Sequence, residues 1–498
     1  MDWSTAKERA VEIMMEQAYV QSALGLMGWD LWGALPPEGR AFRGRASAHL
    51  AKLAHEQITG AEALRLRDQI KPRLEEDCFE NEYERAGLRR FVKKVDEQTV
   101  LPIELQNELR EVIQTGQMVW REALKRADFQ MQLPYMERLF ELEKRVAVCK
   151  NPDQPVFETL TQEVDEGISV ETIQRLFAQL QEGLAPLLRQ AASRDEGVDE
   201  SVLDFTAPKA DMEAFARYVV ERVGFDFSKG SMGEVLHPMC YGIGPKDVRI
   251  TTNYAKGPIE AAMSLMHESG HGMYNYSSNE QALRYGLWGG VHGSMHESQS
   301  RYIENILGRS EAFWRFLYPQ AQRRFDGLRG VSFERFYRAF SKVKIGVKRL
   351  EADELSYSLH PILRFEIEKA YFDGQLQVKD FEEVWNEKHR QLFGLTPKNA
   401  AEGILQDIHW TSGHIGYFHS YTLGNLIGGQ ILEAQLAQNP DFYAQVERGE
   451  FGEIIEYLKD NIWQYGQLYN AGQLVERVTG KELSAQPFLR YLTNKFAR

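Results

Sequence analysis

His267-Glu268-Ser269-Gly270-His271 is an H-E-x-x-H string set in a stretch with helical spacing. Pro258 suits a first helical position, and Ile259, Ala262, Met263 and Met266 follow at intervals that line a helix. Residues four apart on a helix share a face, so both imidazoles can reach one metal ion. Glu268 then stands beside a water held on that metal, placed to take its proton. The string predicts a metal centre built on a helix.

The segment before it, Val248-Arg249-Ile250-Thr251-Thr252-Asn253-Tyr254, alternates and is rich in β-formers. It predicts a short strand, the one convincing strand in the chain. After the string come a glycine-rich stretch, 286–293, and a helix expected over 294–307. A zinc hydrolase usually keeps three protein ligands and leaves one position open. A third histidine in H-E-x-x-H-x-x-G-x-x-H is missing, because the residue six after His271 is Ser277. The next helix offers His296-Glu297-Ser298-Gln299-Ser300-Arg301 instead. Glu297 is the expected third ligand, with Arg301 at i+4 to orient it. A Glu–Arg pair at this spacing is also common on helix surfaces, where it carries no chemistry.

The rest of the chain fits a mainly α fold. Up to about residue 235 it reads as helix after helix, including 6–26, 82–95, 105–127 and 169–185, the last with a cap at Ser169. Helices resume after the second metal-site helix, with a break expected over 403–429. No repeat or linker interrupts the 498 residues, so 1–498 reads as a single domain. At 43% hydrophobic and 26% charged, the composition is ordinary for a globular protein. A net charge of −13 repels phosphate backbones and argues against a nucleic-acid partner. No apolar run is long enough to span a bilayer, and Met1-Asp2-Trp3-Ser4-Thr5-Ala6-Lys7-Glu8 lacks the regions of a signal peptide. The cytoplasm is the simplest expectation. Cys78, Cys149 and Cys240 are too far apart for a disulfide framework or a cysteine metal site. Every histidine except His49 and His55 lies between His237 and His419, clustered around the string as a site would be. Single members such as His292, His360 and His389 read as structural.

Five further patches are similar to the carboxypeptidase Taq family of zinc metallocarboxypeptidases. They are His237-Pro238-Met239, Asp247-Val248-Arg249-Ile250-Thr251, His296-Glu297-Ser298-Gln299, Arg349-Leu350-Glu351-Ala352-Asp353-Glu354 and Gly403-Ile404-Leu405-Gln406-Asp407-Ile408-His409-Trp410. Trp29-Asp30 through Pro37, Gly39 and Arg43 also resembles the family's N-terminal region, so the resemblance runs from about Trp29 to Tyr421. The chain departs from the pattern at Met239, where Phe is usual, and at Lys348, where Ile is usual. It departs again at Phe418-His419-Ser420-Tyr421, where Phe-Pro-Thr-Tyr is more usual. The resemblance implies an almost all-helical body with a deep groove and a small sheet near the metal helix, related to the neurolysin and angiotensin-converting enzyme architecture. It implies Zn2+, with Co2+ or another divalent metal possible in its place. It implies removal of single residues from peptide C-termini, broad specificity, poor action beside proline, and a homodimer.

Chemistry sets the roles, and the resemblance, with its related architecture, implies which residues of the quoted patches fill them. Glu268 is the general base and returns a proton to the leaving amine. The developing oxyanion needs donors besides the metal. His409 and Tyr417, with Tyr421 nearby, are the candidates, and an aromatic core role is the alternative for Tyr417. The terminal carboxylate of a substrate matches the planar fork of an arginine. Arg349 and Arg249 are the candidates, although Glu351, Asp353 and Asp247 are near enough in sequence to hold them as structural partners. His237 is a further substrate-binding candidate. Asp353 and Asp407 are the candidates to orient the metal histidines. An endopeptidase or dipeptidyl carboxypeptidase would keep the metal and Glu268 but arrange the carboxylate site differently. A non-catalytic helical binding protein with a vestigial metal site would have no need of Glu268.

Overall fold

The computed structural model describes residues 2–31, 33 and 35–497, which form a mainly α fold. Local signals start the long helices. Trp3–Asp30 begins at Asp2, whose carboxylate accepts the Thr5 N–H, and Val170–Arg194 begins at Ser169, which caps Thr172 in the same way. The first helices, Trp3–Asp30, Arg40–Thr59, Ala61–Ile70 and Glu82–Val100, close around a small core that includes Ile13, Leu66, Leu88 and Phe91. The main core runs from Phe157 to Phe496 and takes in Met263 and Met266 of the Pro258–Tyr276 helix, Met295 of the Ser294–Arg301 helix and Leu423.

One three-stranded sheet lies among the described residues. β1 (Gly230–Glu234) pairs parallel with β3 (Asp247–Thr252), and β2 (Cys240–Gly244) pairs antiparallel with β3, in the order β1-β3-β2. The sequence predicts β3 alone. β1 and β2 carry Gly230, Gly233, Gly242 and Gly244, which erase the alternation that marks a strand, so their pairing with β3 is what holds them extended. β3 buries Val248, Ile250, Thr251 and Thr252. It feeds almost directly into the Pro258–Tyr276 helix, to which Thr252 Oγ1 donates a 2.8 Å hydrogen bond at the Ala261 carbonyl.

Two expectations need correction. The helix over 294–307 is α-helical only over Ser294–Arg301, and Tyr302–Gly308 is a π-helix. The wider turn re-aims the side chains that follow Arg301. The break over 403–429 ends early, because the His419–Gln438 helix runs through Gly424, Gly428 and Gly429. A Cβ on Gly424 would lie 3.0 Å from Glu297 Cβ and Cγ. The glycine marks a close helix approach rather than a loop. The three cysteines are free, and no described helix is long and apolar enough to cross a membrane.

Candidate active site

The Pro258–Tyr276 and Ser294–Arg301 helices meet at Gly270, where a Cβ would lie 2.6 Å from the Gln299 carbonyl oxygen. That approach brings His267, His271 and Glu297 to one point, with ligand atoms all within 4.8 Å of one another. Glu297 Oε2 is 3.4 Å from His271 Nε2 and 4.0 Å from His267 Nε2. Two imidazoles and a carboxylate suit zinc or a similar divalent ion. The rings are also turned correctly for one. His267 Nδ1 donates to Glu304 Oε2 at 2.9 Å, and His271 Nδ1 lies 2.7 Å from His296 Nδ1, which leaves both Nε2 atoms facing Glu297. The residues present fit the ion.

Glu297 and Arg301 are not a surface pair. Glu297 is 7% exposed, and Arg301 Nε donates to its Oε1 at 2.9 Å. Arg301 Nη1 and Arg309 Nη2 reach the Glu304 carboxylate at 3.4 and 3.3 Å. Burial opposes ionisation of Glu297, but His267, His271 and Arg301 outweigh it and hold the carboxyl well below the usual range. Burial likewise works against charge on His267, yet Glu297 and Glu304 push it up to about 9. Glu268 is buried next to these groups, and burial raises its pKa against the pull of His267 and His271.

The 403–421 segment supplies the facing wall. His409 Nε2 lies 3.0 Å from Tyr421 Oη, and the Tyr417 ring stands 5.9 Å from the His409 ring and 5.5 Å from Tyr421. Burial, and after it the Glu297 charge, pushes Tyr417 up to about 12, so this wall lies within the field of the metal ligands. Burial holds His409 down to about 3 despite Asp407, so the imidazole is neutral. Trp410 Nε1 donates to the buried Glu368 Oε1 at 2.6 Å and anchors the segment. The departure at His419 also has a physical counterpart. His419 is fully buried with Nε2 3.0 Å from Asp165 Oδ2, and Asp165 Oδ1 accepts the Ser294 N–H at 2.7 Å. One aspartate thus touches the start of the helix that carries Glu297 and the start of the helix packed against it.

Asp407 does not hold a metal histidine. Its Oδ1 accepts from Arg349 Nε (3.0 Å) and Nη2 (2.8 Å), and its Oδ2 accepts from Arg364 Nε (2.7 Å). Two guanidiniums on one carboxylate leave a unit of positive charge unbalanced. Arg349 also donates through Nη1 to Tyr357 Oη at 3.1 Å and lies 5.0 Å from the Tyr421 ring centre. Asp353 accepts the backbone N–H groups of Lys344, Leu355 and Ser356 instead of orienting a ligand. Arg249 donates to its own strand neighbour Asp247 at 2.7 and 3.0 Å and lies 6.0 Å from the Trp29 ring centre. His237 is exposed on the bend between β1 and β2. Glu304, His296, Tyr357 and Arg364 escape the sequence reading. His296 heads the quoted His296-Glu297-Ser298-Gln299 patch without a role of its own there, and Glu304 lies seven residues after Glu297, near the same face of a regular helix.

The model of the carboxypeptidase Taq (M32) metallopeptidases matches residues 9–496. The chain belongs to that family. Thermostable carboxypeptidase 1 of Thermus thermophilus is 33% identical over 509 residues, covering 99% of this chain and 98% of that protein. Carboxypeptidase 1 of Bacillus subtilis is 31% identical over 499 residues, covering 100% and 99%. The crystal structure of the M32 carboxypeptidase from Deinococcus radiodurans matches with a TM-score of 0.94 at 32% identity over 99% of each chain. This M32 chain is a peptide hydrolase, a metallocarboxypeptidase, and its family implies a divalent metal.

Proposed function

We propose that this carboxypeptidase works with zinc and releases single residues from peptide C-termini, with broad side-chain specificity and poor action beside proline. The observation that carries the exopeptidase reading is the unbalanced charge of Arg349 and Arg364 on Asp407, next to His409 and Tyr421. A terminal carboxylate is the anion that cluster lacks, and Arg349 is the proposed ligand for it. The charge of Arg249 is already matched by Asp247. Arg249, on β3 beside the metal helix, and His237, on the bend between β1 and β2, are assigned to parts of the peptide further from its end. Tyr421 borders the carboxylate. Specificity and the action beside proline rest on the family resemblance, as does a homodimer as the working form.

His267, His271 and Glu297 would hold the ion. When bound, zinc supplies a Lewis acid that polarises the scissile carbonyl and lowers the pKa of a water to about 7. Glu268 accepts the proton of the attacking water on its carboxylate and passes it to the amine nitrogen as the C–N bond breaks. Burial keeps that carboxylate more basic than an exposed one. Tyr417, whose phenol stays protonated, donates to the carbonyl oxygen as negative charge gathers there. His409 is the second donor.

Dialysis against a chelator should abolish hydrolysis of a free-acid peptide, and one equivalent of Zn2+ per chain should restore it. Near-unit metal content in a Glu297→Ala variant would remove Glu297 from the ligand set.

A further inference from the structure

The glycine-rich stretch 286–293 and His296 have no part in the chemistry above, yet they touch the metal site. His296 Nε2 lies 3.1 Å from the Gly289 carbonyl oxygen. A carbonyl only accepts, so this nitrogen carries the hydrogen. A neutral imidazole has one N–H, which leaves His296 Nδ1 as a lone pair. That lone pair faces His271 Nδ1 at 2.7 Å, a distance that requires one proton between the two nitrogens. An imidazole binds metal through a lone pair, so with His271 as a ligand through Nε2 the proton between the two rings belongs to His271 Nδ1. His271 Nε2 is then a lone pair, and it is the nitrogen directed at Glu297 Oε2, 3.4 Å away.

We infer that His296 is a positioning residue that locks His271 into the tautomer able to bind metal, and that the Gly289 carbonyl locks His296 in turn. The relay runs from a backbone carbonyl, through one imidazole, to a second imidazole that is a ligand. The partner ligand His267 has the commoner arrangement, a direct hydrogen bond to a carboxylate, Glu304. The loop is built to hold its carbonyl in place. Gly289 sits at φ +94°, a conformation other residues rarely adopt. Tyr274, on the metal helix one turn beyond His271, accepts the Val291 N–H at its Oη at 2.9 Å. The His296 ring packs against the same tyrosine, with ring centres 5.1 Å apart. The glycine-rich stretch thus becomes part of the metal site without supplying a ligand.

This inference rests on His267, His271 and Glu297 as the metal ligands, and its test separates the two claims. The full chain is stripped of metal, and Zn2+ affinity is measured by competition with a chelating dye, in wild type and in His271→Ala, His296→Phe and His296→Asn. Metal-free melting curves establish that each variant folds, and His296→Leu replaces the Phe variant if that does not. Phe keeps the ring and removes the acceptor, whereas Asn places an acceptor oxygen where Nδ1 stood. Loss of an orienting partner typically weakens metal binding about 10–100-fold. His296→Phe should show that loss, His296→Asn should recover most of it, and the visible spectrum of the Co2+ form should shift in the Phe variant and return in the Asn variant. Wild-type Zn2+ affinity in the Phe or Leu variant would overturn the inference while leaving the ligand set standing. Equal losses in Phe and Asn would also overturn it, since packing alone would then explain the effect. Undiminished binding in His271→Ala would overturn the ligand set and this inference together.

Discussion

Glu268 is 8% exposed, and its basicity comes from burial beside a cluster of charged groups. Glu268→Gln keeps the shape of the side chain and cannot accept the proton. The variant should bind metal as wild type does and lose about 10²–10⁴-fold in kcat. Single-turnover assays on the metal-loaded variant check this, and a wild-type kcat would mean that another group is the base. Glu368 gives a second prediction at this scale. It is fully buried under Trp410, and burial pushes its carboxyl up to about 8 from an ordinary 4.5. Between those values the unfolded chain has lost this proton while the folded chain keeps it. Stability therefore falls as pH rises across the window, by about 1.4 kcal/mol per pH unit for this group. Below the window both states are protonated and the effect vanishes. Glu368→Gln lacks the slope, so its melting temperature relative to wild type should climb from about pH 5 to about pH 8. A difference that stays constant over that range would show that Glu368 is ionised in the folded protein.

Two helices and the contact between them make the candidate metal site. Gly270 lets the His267–His271 helix approach the Glu297 helix, and an added Cβ would meet Gln299 O at 2.6 Å and Ser300 Cα at 2.7 Å. Both obstacles are backbone, so the helices must part. Gly270→Ala should cost about 1–3 kcal/mol in stability, by analogy with overpacked cores, and weaken Zn2+ binding as Glu297 draws away from the histidines. Denaturant melts and a metal titration on one preparation measure both, and unchanged values would mean that the helices slide without penalty. The same contact explains what could be read beforehand. Spacing within one helix made His267, Glu268 and His271 candidates and the next helix offered Glu297, and folding brings His267, His271 and Glu297 to one point. The role of Glu304 depends on a π-helical turn after Arg301, and that of His296 on the carbonyl of a loop residue seven positions earlier. No single-chain pattern encodes such meetings. Glycine misled in both directions, hiding β1 and β2 and making the His419–Gln438 helix look like a break. Its role in each place is set by a neighbour distant in sequence.

Across the whole molecule, the Pro258–Tyr276 and Ser294–Arg301 helices contribute Glu268 and the three proposed ligand side chains, while the 403–421 segment contributes His409, Tyr417 and Tyr421 with Asp407 behind them. The fold class was readable from helical periodicity along most of the chain. The Arg349–Asp407–Arg364 cluster was not, because Arg364 carried no signal until folding put it on Asp407. In the proposed reading, that cluster separates removal of single terminal residues from cleavage inside a peptide, since only the former needs a fixed site for a terminal carboxylate. The most direct test is to incubate the zinc-loaded enzyme with one peptide as its free acid and as its C-terminal amide, and to follow both by mass spectrometry. The account predicts a ladder of products from the free acid, each shorter by one residue, and little or no cleavage of the amide. Equal cleavage of the two forms, internal fragments, or steps of two residues would contradict it.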